Sequence, residues 1–173
     1  TFAASHTGNV TLTDATSVAE LKTINGNTTG SITLNTDAAK QGALSGSADD
    51  LVLAFAGTVT THEGAVTITD AYDLAELKTI NNETTGTITL GDRTVALSGS
   101  AADVAAALSG TFADGAGHTG TVAVTDNHDL AELITIAGNT TGTITLNDRA
   151  VALSGTSAQI NTALSGTITD GYT

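Results

Sequence analysis

The sequence predicts an α/β protein built as an elongated tandem-repeat array, solenoid-like, in which each 56-residue repeat runs β-α-β-β-α-β with short helices. Three observations lead there. The segment Asp70-Ala71-Tyr72-Asp73-Leu74-Ala75-Glu76-Leu77-Lys78-Thr79-Ile80 recurs with substitutions as Asp14-Ala-Thr-Ser-Val-Ala-Glu-Leu-Lys-Thr-Ile and as Asp126-Asn-His-Asp-Leu-Ala-Glu-Leu-Ile-Thr-Ile, at intervals of 56 residues. Each copy alternates β-branched stretches with apolar residues at helical spacing. Each helical stretch opens on a residue pair spaced as a capping box. A fixed period of this size marks a supersecondary unit that buries its apolar face against its neighbours. The units are residues 9–64, 65–120 and 121–173, with 1–8 as the tail of a preceding repeat.

The middle unit, which lacks the irregularity of the first, justifies the elements in order. Val66-Thr67-Ile68-Thr69 alternates apolar and polar residues, as a half-buried strand does. Asp73 and Glu76 have the N-cap and N3 spacing, and Leu74, Leu77 and Ile80 give the apolar stripe of a helix of little more than two turns. Ser17/Glu20 and Asp129/Glu132 repeat the pair. Asn82, at the place of Gly26 and Gly138, is expected as a left-handed C-cap. Gly86–Leu90 reads as a second strand, Gly91-Asp92 as a tight turn, and Thr94–Leu97 as a third strand returning against the second. The third unit has Asn147-Asp148 at that turn, and the first has a longer loop, Asn35–Gln41. Ser100/Asp103 then caps a second helix that Gly110 ends, with Ser47/Asp50 and Thr156/Gln159 as its counterparts. Thr111-Phe112-Ala113 closes the unit as a short fourth strand.

Capping pairs recur at 27 and 29 residues, from Asp73 to Ser100 and from Ser100 to Asp129, so each unit divides into two half-units. Stacked coils are the favoured arrangement. A string of small split-βαβ domains of ferredoxin-like order is the alternative, disfavoured because helices this short cover little sheet. The chain opens and closes within a repeat, which predicts that it is an excerpt from, or a processed part of, a longer array.

Composition narrows the function. The 173 residues carry a net charge of −13 with five Lys plus Arg, so a polyanion such as nucleic acid is repelled. Three Phe, two Tyr and no Trp or Met leave the core to Val, Ile, Leu and Ala. The absence of Cys excludes a disulfide framework and thiolate metal sites. No apolar run is long enough for a transmembrane segment.

The succession Val-Thr-x-Thr-Asp (Val66–Asp70), Leu-Ala-Glu-Leu-Lys-Thr-Ile-Asn (Leu74–Asn81), Thr-Thr-Gly-x-Ile-Thr-Leu (Thr84–Leu90) and Leu-Ser-Gly-Ser-Ala-Ala-Asp-Val-Ala-Ala-Ala-Leu (Leu97–Leu108) resembles the repeats of giant cyanobacterial cell-surface proteins of the SwmB type. The resemblance runs through all three units. It implies a long, secreted structural protein at the cell surface, with no catalytic residues to carry over. The Gly-Gly-x-Gly-x-Asp nonapeptide of calcium-loaded β-rolls is not found in this sequence.

Several residues invite a chemical reading. Asp70, Asp73, Asp126 and Asp129, with Asp114 and Asp170 in turns, are candidate calcium ligands because oxygen donors concentrate there. Helix capping and turn chemistry account for the same residues without a metal, and Ser17 replaces Asp73 in the first copy as capping tolerates. His6, His62 and His118 recur at the repeat period, one per copy, and read as turn or surface residues rather than ligands. Ser45, Ser98 and Ser154 recur without a partner His at a fixed near spacing and without a nucleophile elbow. His128 is unrepeated, aligned with Tyr72 and Thr16, and is expected at an exposed position. Asn27-Thr28-Thr29, Asn82-Glu83-Thr84 and Asn139-Thr140-Thr141 match the glycosylation acceptor pattern and read as turn residues.

No catalytic residue, cofactor or confident metal ligand follows, and calcium is the one ion these carboxylates would suit. The sequence therefore predicts a non-enzymatic, extracellular or cell-surface structural module, assembling head to tail into a filament, sheath or surface layer. The competing readings are an adhesin-type stalk, touching a glycan or calcium through loops such as His62-Glu63-Gly64, and a hydrolase, for which a unique polar cleft would be needed.

Overall fold

The computed structural model describes residues 5–113, 115, 117–169 and 171–172. It is an α/β structure in which every strand pairing among those residues is parallel. The chain runs β1 (Val10–Leu12), α1 (Val18–Gly26), β2 (Ile32–Leu34), α2 (Asp37–Gln41), β3 (Leu44–Gly46), α3 (Ala48–Phe55), β4 (Val66–Ile68), α4 (Leu74–Glu83) and β5 (Ile88–Leu90). It continues through β6 (Leu97–Gly99), α5 (Ala101–Leu108), β7 (Val122–Val124), α6 (Leu130–Asn139), β8 (Thr143–Leu146), α7 (Ser157–Ala163) and β9 (Thr167–Ile168).

The strands are distributed over three sheets, β1-β2, β3-β4-β5 and β6-β7-β8-β9. Isolated parallel bridges extend the first two, Val59 beside Ile32 and Phe112 beside Ile88. The sheets interleave along the chain. β3 precedes α3, yet Val59, four residues after α3 ends, returns to the sheet of β1 and β2. β6 and Phe112 flank α5 in the same way. Helices contact one another in the order α1, α3, α4, α5, α6, α7.

The core lies between sheets and helices. Strand residues alternate, with Ile32, Leu34, Val66, Ile68, Val122 and Val124 buried and Thr33, Thr67 and Ala123 facing the other side. Leu21, Leu51, Leu77, Val104 and Leu133 meet them from one helix each, all fully buried. Complete burial of such a side chain is worth roughly 1.5–3 kcal/mol, which compensates for strands only a few residues long.

Four expectations are corrected. β5 and β6 do not form a hairpin: after Gly91-Asp92 the chain passes to a different sheet, where β6 pairs with β7. The parallel pairing throughout also differs from the antiparallel sheet of a ferredoxin-like unit. Gly26, Asn82 and Gly138 are not left-handed caps but lie inside α1, α4 and α6, which end at Asn27, Thr84 and Thr140. The loop Asn35–Gln41 holds the short helix α2, whose N-cap Thr36 accepts from the Ala39 amide. The fourth strand, Thr111–Ala113, is reduced to the bridge at Phe112.

Candidate functional site

The carboxylates occupy helix ends. Asp73 Oδ1 accepts from the Glu76 amide at 2.8 Å while Glu76 Oε2 accepts from the Asp73 amide at 2.8 Å. Asp129 and Glu132 form the same reciprocal pair, as do Ser17 with Glu20 and Thr156 with Gln159. The bonds from Ser17 hold the Glu20 carboxyl below the ordinary carboxylate range, as expected when the charged form is hydrogen bonded.

Asp70 and Asp126 do something the sequence did not announce. Asp70, beyond the end of β4, reaches α3, where its Oδ1 accepts from the Ala48 amide at 2.9 Å. Asp126 does the same for the Ala101 amide of α5 at 2.7 Å. Each strand thus supplies a cap to the helix of the preceding half-unit. Asp114 and Asp170 lie outside the described residues. Among the described residues, no group of three or more His, Asp or Glu is placed to hold a metal ion.

The histidines are not surface turn residues in two of three copies: His62 is 1% exposed and His118 is fully buried, while His6 is exposed. Each makes a parallel bridge to a threonine, His6 to Thr28, His62 to Thr84 and His118 to Thr140. The threonine hydroxyl donates to the His carbonyl at 3.0–3.2 Å and accepts from the amide of Gly30, Gly86 or Gly142. These threonines belong to the glycosylation-type triplets, and their hydroxyls serve the turn. The glycines are required by close approach: a Cβ on Gly86 would lie 1.8 Å from the Gly64 carbonyl oxygen, and one on Gly142 would lie 1.7 Å from that of Gly120.

His118 Nε2 lies 2.6 Å from the Val95 carbonyl and Nδ1 lies 3.1 Å from Thr140 Oγ1. Because a carbonyl only accepts, the neutral ring carries its proton on Nε2. Burial holds both His62 and His118 below the ordinary imidazole value; the Val95 bond opposes this at His118, and the Glu63 charge opposes it at His62. Neither ring nitrogen of His62 has a hydrogen-bond partner among the described residues, and the ring faces Phe55 at 6.0 Å between centroids.

His128 is buried, not exposed as expected, with Nε2 3.1 Å from the Tyr172 hydroxyl. That hydroxyl donates in turn to the Val151 carbonyl. Tyr72, at the equivalent position, is also buried, and burial pushes its phenol strongly upward. Ser45, Ser98 and Ser154 are exposed.

A cleft of about 580 Å3 opens between α4 and β6–α5, lined by Tyr72, Asp73, Leu74, Lys78, Ser98 and Asp103. Two of its polar residues are engaged with each other: Lys78 Nζ donates to Asp103 Oδ1, which with the Ser100 hydroxyl holds the Asp103 carboxyl low, while the buried Tyr72 hydroxyl has no hydrogen-bond partner among the described residues. Lys22 and Asp50 make the corresponding ion pair between α1 and α3. Asn81 Nδ2 donates to the Ala106 carbonyl at 2.7 Å and to Ser109 Oγ at 2.8 Å, and Asn25 Nδ2 donates to the Leu53 and Ala56 carbonyls. Sequence reasoning passed over these lysines and asparagines; their recurrence at the 56-residue period was the available signal.

No family model matches the chain, and no curated protein and no solved structure matches it.

Proposed function

We propose that the chain is a structural repeat module of a secreted or cell-surface protein, an elongated β/α solenoid whose 56-residue units assemble into an extracellular filament, sheath or surface layer. The resemblance to cyanobacterial surface repeats led to the cell-surface part of this reading. The observation that carries the structural role is the use made of the recurrent polar residues. Asp70 and Asp126 cap the helix of the preceding half-unit, Asn25 and Asn81 clamp the end of the following helix, and Lys22 and Lys78 pair with carboxylates on that helix.

Side chains employed in this way hold one segment to the next, and among the described residues no set of nucleophile, base and oxyanion donors is assembled. The chain is accordingly read as non-enzymatic. A net charge of −13 maintains solubility and repulsion between laterally adjacent arrays, directing association to their ends. Small-angle scattering tests the shape, and electron microscopy tests the assembly. A rod-like scattering profile and filaments with an axial repeat of three units are expected; a scattering profile of a sphere-like particle would overturn the solenoid.

A further inference from the structure

The cleft of about 580 Å3 between α4 and β6–α5 has the size of a small-molecule site, roughly 300–1,000 Å3. Its residues depart from the repeat. Where the second unit has Tyr72, Asp73, Lys78 and Asp103, the first has Thr16, Ser17, Lys22 and Asp50. The third has His128, Asp129, Ile134 and Gln159. The aromatic hydroxyl, the capping carboxylate and the ion pair therefore meet in the second unit alone.

We propose that this cleft binds an uncharged sugar residue of a glycan, with the Tyr72 hydroxyl, the Lys78–Asp103 pair and the free edge of β6 as its hydrogen-bonding partners. The site lies within one chain and needs no assembly of copies. It adds recognition to the structural role.

Tyr72 is 4% exposed, and its hydroxyl has no hydrogen-bond partner among the described residues. Buried hydroxyls are normally bonded, so this one has an unmet requirement that a ligand hydroxyl satisfies. Burial pushes the phenol strongly upward, which keeps its proton in place and leaves it able both to donate and to accept. Lys78 Nζ spends one of its three donors on Asp103 Oδ1 and retains the others. Asp73 Oδ1 is taken by the Glu76 amide, while Oδ2 of Asp73 and Oδ2 of Asp103 remain as acceptors. Donors and acceptors side by side suit neighbouring hydroxyls, each of which donates and accepts.

β6 contributes backbone groups. It is the edge of its sheet, and across to β7 the Leu97 amide donates to Thr121 and the Gly99 carbonyl accepts from Thr125. The Ser98 amide and carbonyl, between them, face the free edge beside the exposed Ser98 side chain. One residue of free edge offers two backbone bonds, which orient a sugar but fall short of the ladder an extended peptide uses. Leu74, Ala75 and Ala96 supply apolar surface for the C–H face of a sugar ring. Charge selects against acidic ligands: Lys78 is neutralised by Asp103, Asp73 adds a negative charge, and the chain carries −13. A cationic ligand competes with Lys78 for Asp103.

The test presents the biotinylated chain, tetramerised on streptavidin so that weak contacts add, to a printed array of neutral and acidic glycans. Retention on neutral glycans is expected. Tyr72→Phe and Lys78→Met are each expected to lower that signal about tenfold. Lys22→Met, in the corresponding ion pair outside the cleft, is expected to leave it unchanged. Thermal unfolding separates binding from folding. Tyr72→Phe removes a hydroxyl that no described residue bonds, so the melting temperature is expected to hold or rise while binding falls. Absence of retention on every glycan, retention on acidic glycans alone, a signal that Tyr72→Phe leaves intact, or equal losses in Lys22→Met and Lys78→Met would each overturn the proposal.

Discussion

Asp70 caps a helix that precedes it in the chain: its Oδ1 accepts a hydrogen bond from the Ala48 amide, the first residue of α3, at 2.9 Å. Asp126 and Ala101 repeat the relationship at 2.7 Å. Removing either carboxylate leaves a helix amide without its acceptor and loosens one half-unit from the next. Asp70→Ala and Asp126→Ala are each expected to lower stability by about 1 kcal/mol. Urea unfolding with added calcium and with chelator checks the cause, because capping predicts the same loss in both. A loss confined to calcium-containing buffer would return these residues to the metal reading.

The capping boxes make a separate prediction about Asp73. Ser17 performs the same role in the first copy, accepting from the Glu20 amide at 3.3 Å. Asp73→Ser is therefore expected to stay within about 0.5 kcal/mol of the parent, and Asp73→Ala to cost about 1 kcal/mol. Equal losses for both, measured by thermal unfolding, would show that the charge rather than the cap matters.

Glycines of similar appearance in the sequence should respond in opposite directions. A Cβ on Gly142 would stand 1.7 Å from a backbone oxygen, so Gly142→Ala forces two chain segments apart and is expected to cost about 2–3 kcal/mol. Gly138 lies within α6 with nothing within 4 Å of an added Cβ, and Gly138→Ala is expected to stabilise by about 0.5–1 kcal/mol. Denaturant midpoints of the two variants decide the matter, and a shift of the same sign in both would contradict the placement of these residues.

Acidification should weaken the fold through the buried imidazoles. Burial lowers the pKa of His62 and His118 in the folded state, so the unfolded chain binds protons first as the pH falls. Stability is thus unaffected by these groups above the ordinary value of 6.5 and declines as pH drops below it towards their depressed folded values. His118 already has acceptors at both ring nitrogens for the protonated form, Val95 and Thr140, whereas His62 has none. His62→Leu is expected to remove more of the pH dependence between 7 and 5 than His118→Leu. Urea midpoints that fall equally with pH in parent and His62→Leu would contradict this.

The local devices were legible because they are local. Ser17/Glu20, Asp73/Glu76 and Asp129/Glu132 announce three helix starts by residue type and spacing, and all three form as read. The helix ends were misread, since Gly26 and Gly138 look like left-handed caps but continue their helices, with no contact to penalise or require them. His62 and His118 were misread for a different reason. A polar residue in a Gly-rich loop reads as exposed, and only the segment packed over it removes water.

By itself the sequence determined the α/β class, the 56-residue period, the helix starts and the acidic surface, because each follows from residue type at short spacing. The tertiary structure alone decided the partners. Gly91-Asp92 between two β-branched stretches is compatible with an antiparallel hairpin, but β6 pairs in parallel with β7 because that register puts Leu97, Val122 and Ile144 on one buried face. Burial of that shared apolar face, summed over neighbours far apart in the chain, outweighs the turn's local preference and fixes which strands pair.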